Sequence, residues 1–317
     1  MTSKQIIAVV GATGAQGGGL VRAILADPDS RFRVRAITRN TTGEIAQELA
    51  RLGADVVGAD LDDAESLRRA FAGVHGVYAV TNFWEHFSPA REIAQAQNLA
   101  LAARDTGAKH LIWSTLEDTR KWVPLDHDRM PTLHGTYKVP HFDAKSEADR
   151  LFVNAGVPTT FLLASFYWEN MIHFGMGPRR GTDGSLAITF PLGDKKMAGI
   201  AAEDIGRCAY GIFNAGPERY AGRFVGIAGD HTSGAEMASA LSKALGQEVR
   251  YNDVSPETYR GFGFPGADDL GNMFQFYRDF EQTFLASRDL EVSRGLNSSL
   301  QSFETWLSRN ASRLPIE

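Results

Sequence analysis

The sequence predicts an α/β fold, a doubly wound parallel sheet followed by a smaller α+β C-terminal lobe. Three observations carry this expectation. Short apolar runs alternate with amphipathic helical stretches through the first half of the chain, the pattern of parallel βαβ units. The first run, Ile6–Val10, leads directly into Gly11-x-x-Gly14-x-x-Gly17 and then into a helix. Beyond about residue 160 the alternation weakens, and aromatic and glycine density rises.

The elements follow in order. After the glycine turn, Leu20, Val21, Ile24 and Leu25 mark the apolar face of the first helix. A strand at Val34–Thr38, a helix at Thr42–Leu52 and a strand at Asp55–Gly58 come next. Asp62 or Asp63 can cap the helix Ala64–Phe71, which precedes a fourth strand, Gly76–Val80. A long helix from Pro89 to Thr106 leads to the strand His110–Ser114. A helix over Lys138–Ala155 then turns through Gly156-Val-Pro158 into Thr159–Leu163. On this reading residues 1–155 form a nucleotide-binding domain. Residues 156–317 complete the sheet and build the smaller substrate or partner lobe. In that lobe Asp268–Phe284 reads as one amphipathic helix carrying Met273, Phe274, Phe276, Tyr277, Phe280 and Phe284. Those aromatics either pack a core or wall a cleft.

Bulk properties narrow the function classes. With 33 basic and 38 acidic residues among 317, mixed along the chain, the net charge is −5. No basic face is available, which disfavours direct nucleic-acid binding. The single cysteine, Cys208, excludes an internal disulfide and reads as a buried structural thiol. No apolar run approaches the ~20 residues needed to span a bilayer. The start Met1-Thr-Ser-Lys-Gln5 enters a strand at once and leaves no room for a signal peptide, so a cytoplasmic protein is expected. The sequons at Asn40, Asn297 and Asn310 are then chance matches.

The glycine turn points to a dinucleotide. Gly11 permits a tight turn, Gly14 leaves no Cβ between backbone and pyrophosphate, and Gly17 lets helix pack on strand. The helix N-terminus, Ala15-Gln16, then directs N–H groups and a positive dipole end at the anion. In doubly wound sheets ligands bind beyond the carboxyl ends of the strands, which nominates Arg39, Asp60–Asp62, Thr81–Phe83 and Ser114–Glu117. An acidic residue after the second strand favours NAD. Here Arg39 stands there and can grip a 2′-phosphate, favouring NADP(H) with NAD possible. Asp62 is placed either to reach the adenine amine or to cap a helix.

Catalysis is less legible. The usual reductase pair is Tyr-x-x-x-Lys on one helix face, and this chain has His141-Phe-Asp-Ala-Lys145, with Tyr137 one turn earlier. His141 either donates a proton or merely starts a helix after Val139-Pro140. Ser114 and Thr115 are candidates to orient a carbonyl. His127, His134 and His141 match no usual metal-ligand spacing, and no Gly-x-Ser-x-Gly elbow occurs.

Taken together, Gly11-Ala-Thr-Gly-Ala-Gln-Gly17, Thr38-Arg39-Asn40, Thr81-Asn-Phe-Trp-Glu85, His141-Phe-Asp-x-Lys145 and Phe264-Pro-Gly-Ala-x-Asp-Leu270 resemble the NmrA-like family. This is a branch of the atypical short-chain dehydrogenase/reductases, and the similarity is greatest to its redox-sensor members. The resemblance implies a Rossmann domain with a smaller C-terminal lobe. It also implies NADP(H) held by the Gly11–Gly17 turn with Thr13, by Arg39, Leu61 and Asp62, by Thr81, Asn82 and Phe83, by Lys145, and by Tyr167, Trp168, Glu169 and Asn170. Two positions depart from sensor members: Ala94 stands where some carry a cofactor-binding lysine, and Thr41–Gly43 replace basic residues. Two functions follow. One is a redox-responsive regulator with a protein partner. The other is an NAD(P)H-dependent reductase of a quinone or aromatic carbonyl, using Lys145 and His141.

Overall fold

The computed structural model describes residues 4–316, which form two compact units. Of the described residues, the first comprises 4–118, 141–164 and 203–225, and the second 119–140, 165–202 and 226–316.

The first unit carries a seven-stranded sheet. Its strands are β1 (Gln5–Val10), β2 (Phe32–Thr38), β3 (Asp55–Gly58), β4 (Gly76–Ala79), β5 (His110–Thr115), β6 (Thr159–Leu163) and β7 (Phe224–Gly226). They lie in the order β7-β6-β5-β4-β1-β2-β3, and every pairing from β3 across to β6 is parallel. The order reverses between β1 and β4, so the ends of these two strands form the topological switch point where such sheets bind ligands. This is the predicted doubly wound Rossmann arrangement. Its helices are α1 (Ala15–Ala26), α2 (Glu44–Arg51), α3 (Ala64–Ala70), α4 (Pro89–Asp105), α5 (Pro140–Ala155) and α6 (Ala202–Ala215).

Local chemistry explains the elements. Central strands β4, β5 and β6 are buried along their whole length, as strands covered on both faces must be. Asp63 caps α3, accepting from the Glu65 and Ser66 amides, and Ser88 caps α4 ahead of Pro89. The run Gly17-Gly18-Gly19 has a packing role. A Cβ on Gly19 would lie 2.7 Å from the Glu203 carbonyl, and one on Gly206 would lie 2.0 Å from the Leu20 nitrogen. Helices α1 and α6 therefore meet backbone to backbone. Cys208, on α6, is fully buried, and burial pushes its thiol up.

His110 is a buried titratable group outside the switch point. It is 1% exposed at the start of β5, with Nε2 2.9 Å from Thr160 Oγ1 and its ring edge-on to Phe213. Burial holds it down to about 4, against 6.5 for a free imidazole. Between these values the unfolded chain binds the proton that the folded chain refuses, so stability falls as pH drops from about 6.5 to 4. His110→Gln is expected to flatten that slope by roughly 2–3 kcal/mol over the window, read by urea unfolding at pH 7 and pH 4.5. An unchanged slope would show that His110 is not the titrating group.

The second unit holds two three-stranded sheets. One is ordered 230–233, 196–200, 166–167, and the other 249–253, 186–190, 179–180. Helix Gly234–Leu245 opens on a capping box between Ser233 and Glu236 and ends at Gly246 in the left-handed conformation. The expected single helix Asp268–Phe284 is two, Ala267–Asp279 and Glu281–Ala286, broken where Phe280 leaves helical geometry at φ −123°, ψ 31°. Met273, Phe274, Phe276, Tyr277 and Phe284 are at most 5% exposed and pack the core of this unit, with Phe274 set against Phe166, Phe190 and Tyr259. Phe262 and Phe264 stay exposed. Among the described residues, no helix is long and apolar enough to cross a membrane, and no cluster of three His, Cys, Asp or Glu is placed to hold a metal.

Candidate functional site

The glycine turn leaves the carboxyl end of β1. Gly11 adopts φ +63°, Gly14 N–H donates to the Gly11 carbonyl (2.9 Å), and Ala12 N–H donates to Ile37 on β2 (3.2 Å). A Cβ on Gly17 would lie 2.4 Å from the Gly11 carbonyl oxygen, so α1 can pack this closely only with glycine there. A Cβ on Gly14 would meet a single atom within 4 Å, the Gly11 oxygen at 3.3 Å. The face above Gly14 is therefore open. Gly14 is the N-cap of α1, with no side-chain cap and no acidic residue in the first turn. An uncapped helix start beside an open glycine face fits a pyrophosphate. Thr13 sits 3.5 Å from Thr38, hydroxyl to hydroxyl, and Gln16 turns inward to accept from the Tyr78 hydroxyl. Gln16 as a whole is 8% exposed.

Charged groups gather at the ends of β2, β3 and β4. Both terminal nitrogens of Arg39 donate to the Glu85 carboxylate, Nη2 to Oε2 at 2.9 Å and Nη1 to Oε1. Glu85 closes the 3₁₀ turn Phe83–Glu85 that follows β4. The Arg39 hydrogen bond holds the Glu85 carboxyl below its ordinary value. Asp62 is not the helix cap, since Asp63 performs that role. Instead Asp62 accepts from Arg91 (2.6 Å) and Gln95 (3.1 Å), and the Arg91 bond is the main cause of its lowered pKa. The Leu61 carbonyl accepts from Asn98 Nδ2 at 2.8 Å. Sequence reasoning missed Arg91. Its signal was position, because the first turn of α4 starts at the carboxyl edge of the sheet.

A buried ion cluster lies between β4, α4 and α5. Lys145 Nζ is 2.7 Å from Glu92 Oε1, 2.7 Å from Thr81 Oγ1 and 3.2 Å from the Thr81 carbonyl. Thr81 Oγ1 in turn donates to Glu92. His86 Nδ1 accepts from the Ser88 amide (3.0 Å), so the ring proton resides on Nε2, which points at Glu92 Oε2 across 3.4 Å. That contact falls short of a hydrogen bond, and both atoms are buried with no hydrogen-bond partner. Burial pushes the Glu92 carboxyl up, but the Lys145 charge, the close approach of His86 and the bonds from Lys145 and Thr81 outweigh it and bring it down to about 2. Glu92 was also missed. It falls on the buried stripe of α4 with Ala96, Leu99 and Ala103, where a carboxylate needs a partner.

The remaining candidates have other surroundings. His141, on α5 four residues before Lys145, is 6% exposed and sits 4.6 Å from the Trp84 ring and 6.0 Å from Phe83, centre to centre. Asn82 is exposed and Phe83 is buried. Thr115 donates to Asp149 (2.7 Å), as does the indole of Trp113, so this hydroxyl orients Asp149 rather than facing outward. Helix α5 begins at Pro140 rather than Lys138. Tyr137 therefore precedes it and pairs with Leu133 in an isolated β-bridge, not one turn earlier on the same helix. Tyr167–Asn170 belong to the second unit. There Tyr167 pairs with Ile200, Trp168 is wholly buried against Gly199, and Glu169 accepts from the Ala202 amide and the Trp306 indole. Asn170 opens the short helix Asn170–His173.

Comparison with known proteins agrees with the fold. The chain is 28% identical to the NmrA-like family domain-containing oxidoreductase ptmS of Penicillium ochrochloron, over 94% of this chain and 91% of that protein. Its fold is similar to that of NmrA, a negative transcriptional regulator, in complex with NADP. That match has a TM-score of 0.78 and 24% identity, over 97% of this chain and 95% of that one. The triphenylmethane reductase of Citrobacter sp., complexed with NADP(H), matches with a TM-score of 0.74 and 22% identity, over 97% and 99%. The model of the NmrA-like family matches residues 3–307, which takes in the glycine turn, both charged clusters and nearly all of the second unit, and the chain belongs to that family.

Proposed function

We propose that this protein binds NADP(H) at the Gly11–Gly17 turn and works as a redox-responsive regulator rather than by turnover. The observation that carries the second half of the reading is the surroundings of the two candidate catalytic groups. A proton donor must touch its substrate, and the His141 ring is 6% exposed behind Trp84 and Phe83. The Lys145 ammonium spends its hydrogen bonds on Thr81 and Glu92. All three Lys145 N–H donors are thereby engaged, and the Glu92 carboxylate cancels its charge. The open face of Gly14 and the uncapped start of α1 would hold the pyrophosphate. NADP(H), when bound, would supply hydride-transfer chemistry and a difference in charge between its two redox forms.

Reductase activity on a quinone or aromatic carbonyl is the second reading. It is favoured by the oxidoreductase name of the ptmS relative and by the fold shared with triphenylmethane reductase. Anaerobic NADPH oxidation over a panel of quinones and ketones separates the two. Regulation predicts no turnover, together with amide hydrogen exchange that differs between the NADP⁺ and NADPH complexes. Turnover of any member of the panel by the unmodified protein overturns it in favour of the reductase.

A further inference from the structure

Arg39 is not simply waiting for a phosphate. It is already held in the bidentate geometry that guanidinium groups use for carboxylates and phosphates alike. Strands β2 and β4 both flank β1, so the contact between Arg39 and Glu85 reaches across the end of the strand from which the glycine turn leaves. The charges around it are unfavourable to a further anion. Asp60 and Arg91 are the other charged neighbours of Arg39, and Arg91 is itself held by Asp62. Two cations thus face three carboxylates, Glu85, Asp60 and Asp62, before any phosphate arrives. The loop beyond Arg39, Asn40-Thr-Thr-Gly43, adds no cation.

We infer that Glu85 is a built-in competitor for Arg39, a specificity-determining residue that holds down the preference for NADP over NAD. To seat a 2′-phosphate, Arg39 must exchange one anion for another, and the displaced Glu85 carboxylate stays close to the incoming charge. A ribose 2′-hydroxyl requires no such exchange. Because the side chains are 58% and 40% exposed, the pair opens at modest cost, so NADP is handicapped and not excluded. The consequence is a site that answers to both dinucleotide pools. This inference rests on the dinucleotide reading above.

Calorimetric titration with NADP⁺ and NAD⁺ tests it on the full chain. Glu85→Gln keeps the size of the side chain and removes its charge. The NADP⁺/NAD⁺ affinity ratio is expected to rise about three- to tenfold, and more at low salt. The gain must depend on Arg39. In an Arg39→Ala background the same change should move the ratio by less than about twofold. An unchanged or lower ratio in Glu85→Gln, or an equal gain in both backgrounds, overturns the competitor. Failure of the unmodified protein to bind either dinucleotide would instead overturn the reading on which it rests.

Discussion

Replacing Glu92 by Gln is expected to cost about 3–5 kcal/mol of folding stability, far more than loss of a surface charge. The side chain is 0% exposed and its ion partner Lys145 only 10% exposed, so the amide leaves an ammonium in the interior with hydroxyl and carbonyl partners only. The carboxyl titrates near 2 in the fold and near 4.5 when free. Its contribution is therefore complete above about pH 4.5 and disappears as pH falls towards 2, and the Gln variant should lack that acid transition. Lys145→Met is expected to be as costly, because it strands the opposite charge. The double variant Glu92→Gln/Lys145→Met should recover most of the loss, since an apolar or neutral pair removes both uncompensated charges. Urea unfolding at pH 7 measures all three. Single losses below about 1 kcal/mol, or a double variant as weak as the sum, would show that the ion pair is not what holds α4 to α5.

How much of this was legible in the sequence depends on the range of the interaction. The sheet was readable because its strands are short, largely apolar runs that alternate with helices, two of which carry side-chain caps, Asp63 before α3 and Ser88 before α4. The glycine turn was readable for the same reason, its three glycines lying within one stretch of seven residues. The ion cluster was not. Thr81 and His86 come from the loop after β4, Glu92 from α4 and Lys145 from α5, and only the fold brings them together. The position of Arg39 at the end of β2 nominates it for a phosphate, whereas its existing partner, Glu85, lies 46 residues away. In the second unit, the aromatic run 273–284 reads equally as core or cleft, and periodicity cannot locate the break at Phe280. Trp168 and Glu169 show the converse. Family resemblance marks them for cofactor, while in this structure one fills a core and the other joins Ala202 to Trp306.

Two alanine substitutions, three residues apart in sequence, separate folding from binding at the glycine turn. Gly17→Ala would place its Cβ 2.4 Å from the Gly11 oxygen, 2.8 Å from the Gly11 carbonyl carbon and 2.9 Å from the Val10 oxygen. All three are backbone atoms, so none can swing aside, and α1 must lift from β1. A stability loss of about 2–4 kcal/mol is expected, together with loss of dinucleotide binding. Gly14→Ala is different. Its backbone is extended at φ −95°, ψ −177°, which alanine adopts freely, and its Cβ meets only the Gly11 oxygen at 3.3 Å. Stability should stay within about 1 kcal/mol of the parent, because the slight crowding is offset by a stiffer unfolded chain. Yet the methyl would occupy the face that the pyrophosphate needs, and affinity for NADP⁺ and NAD⁺ should fall together by at least about tenfold. Thermal unfolding and calorimetric titration of both variants provide the comparison. A Gly14→Ala protein that binds as tightly as the parent would show that the pyrophosphate does not approach this turn.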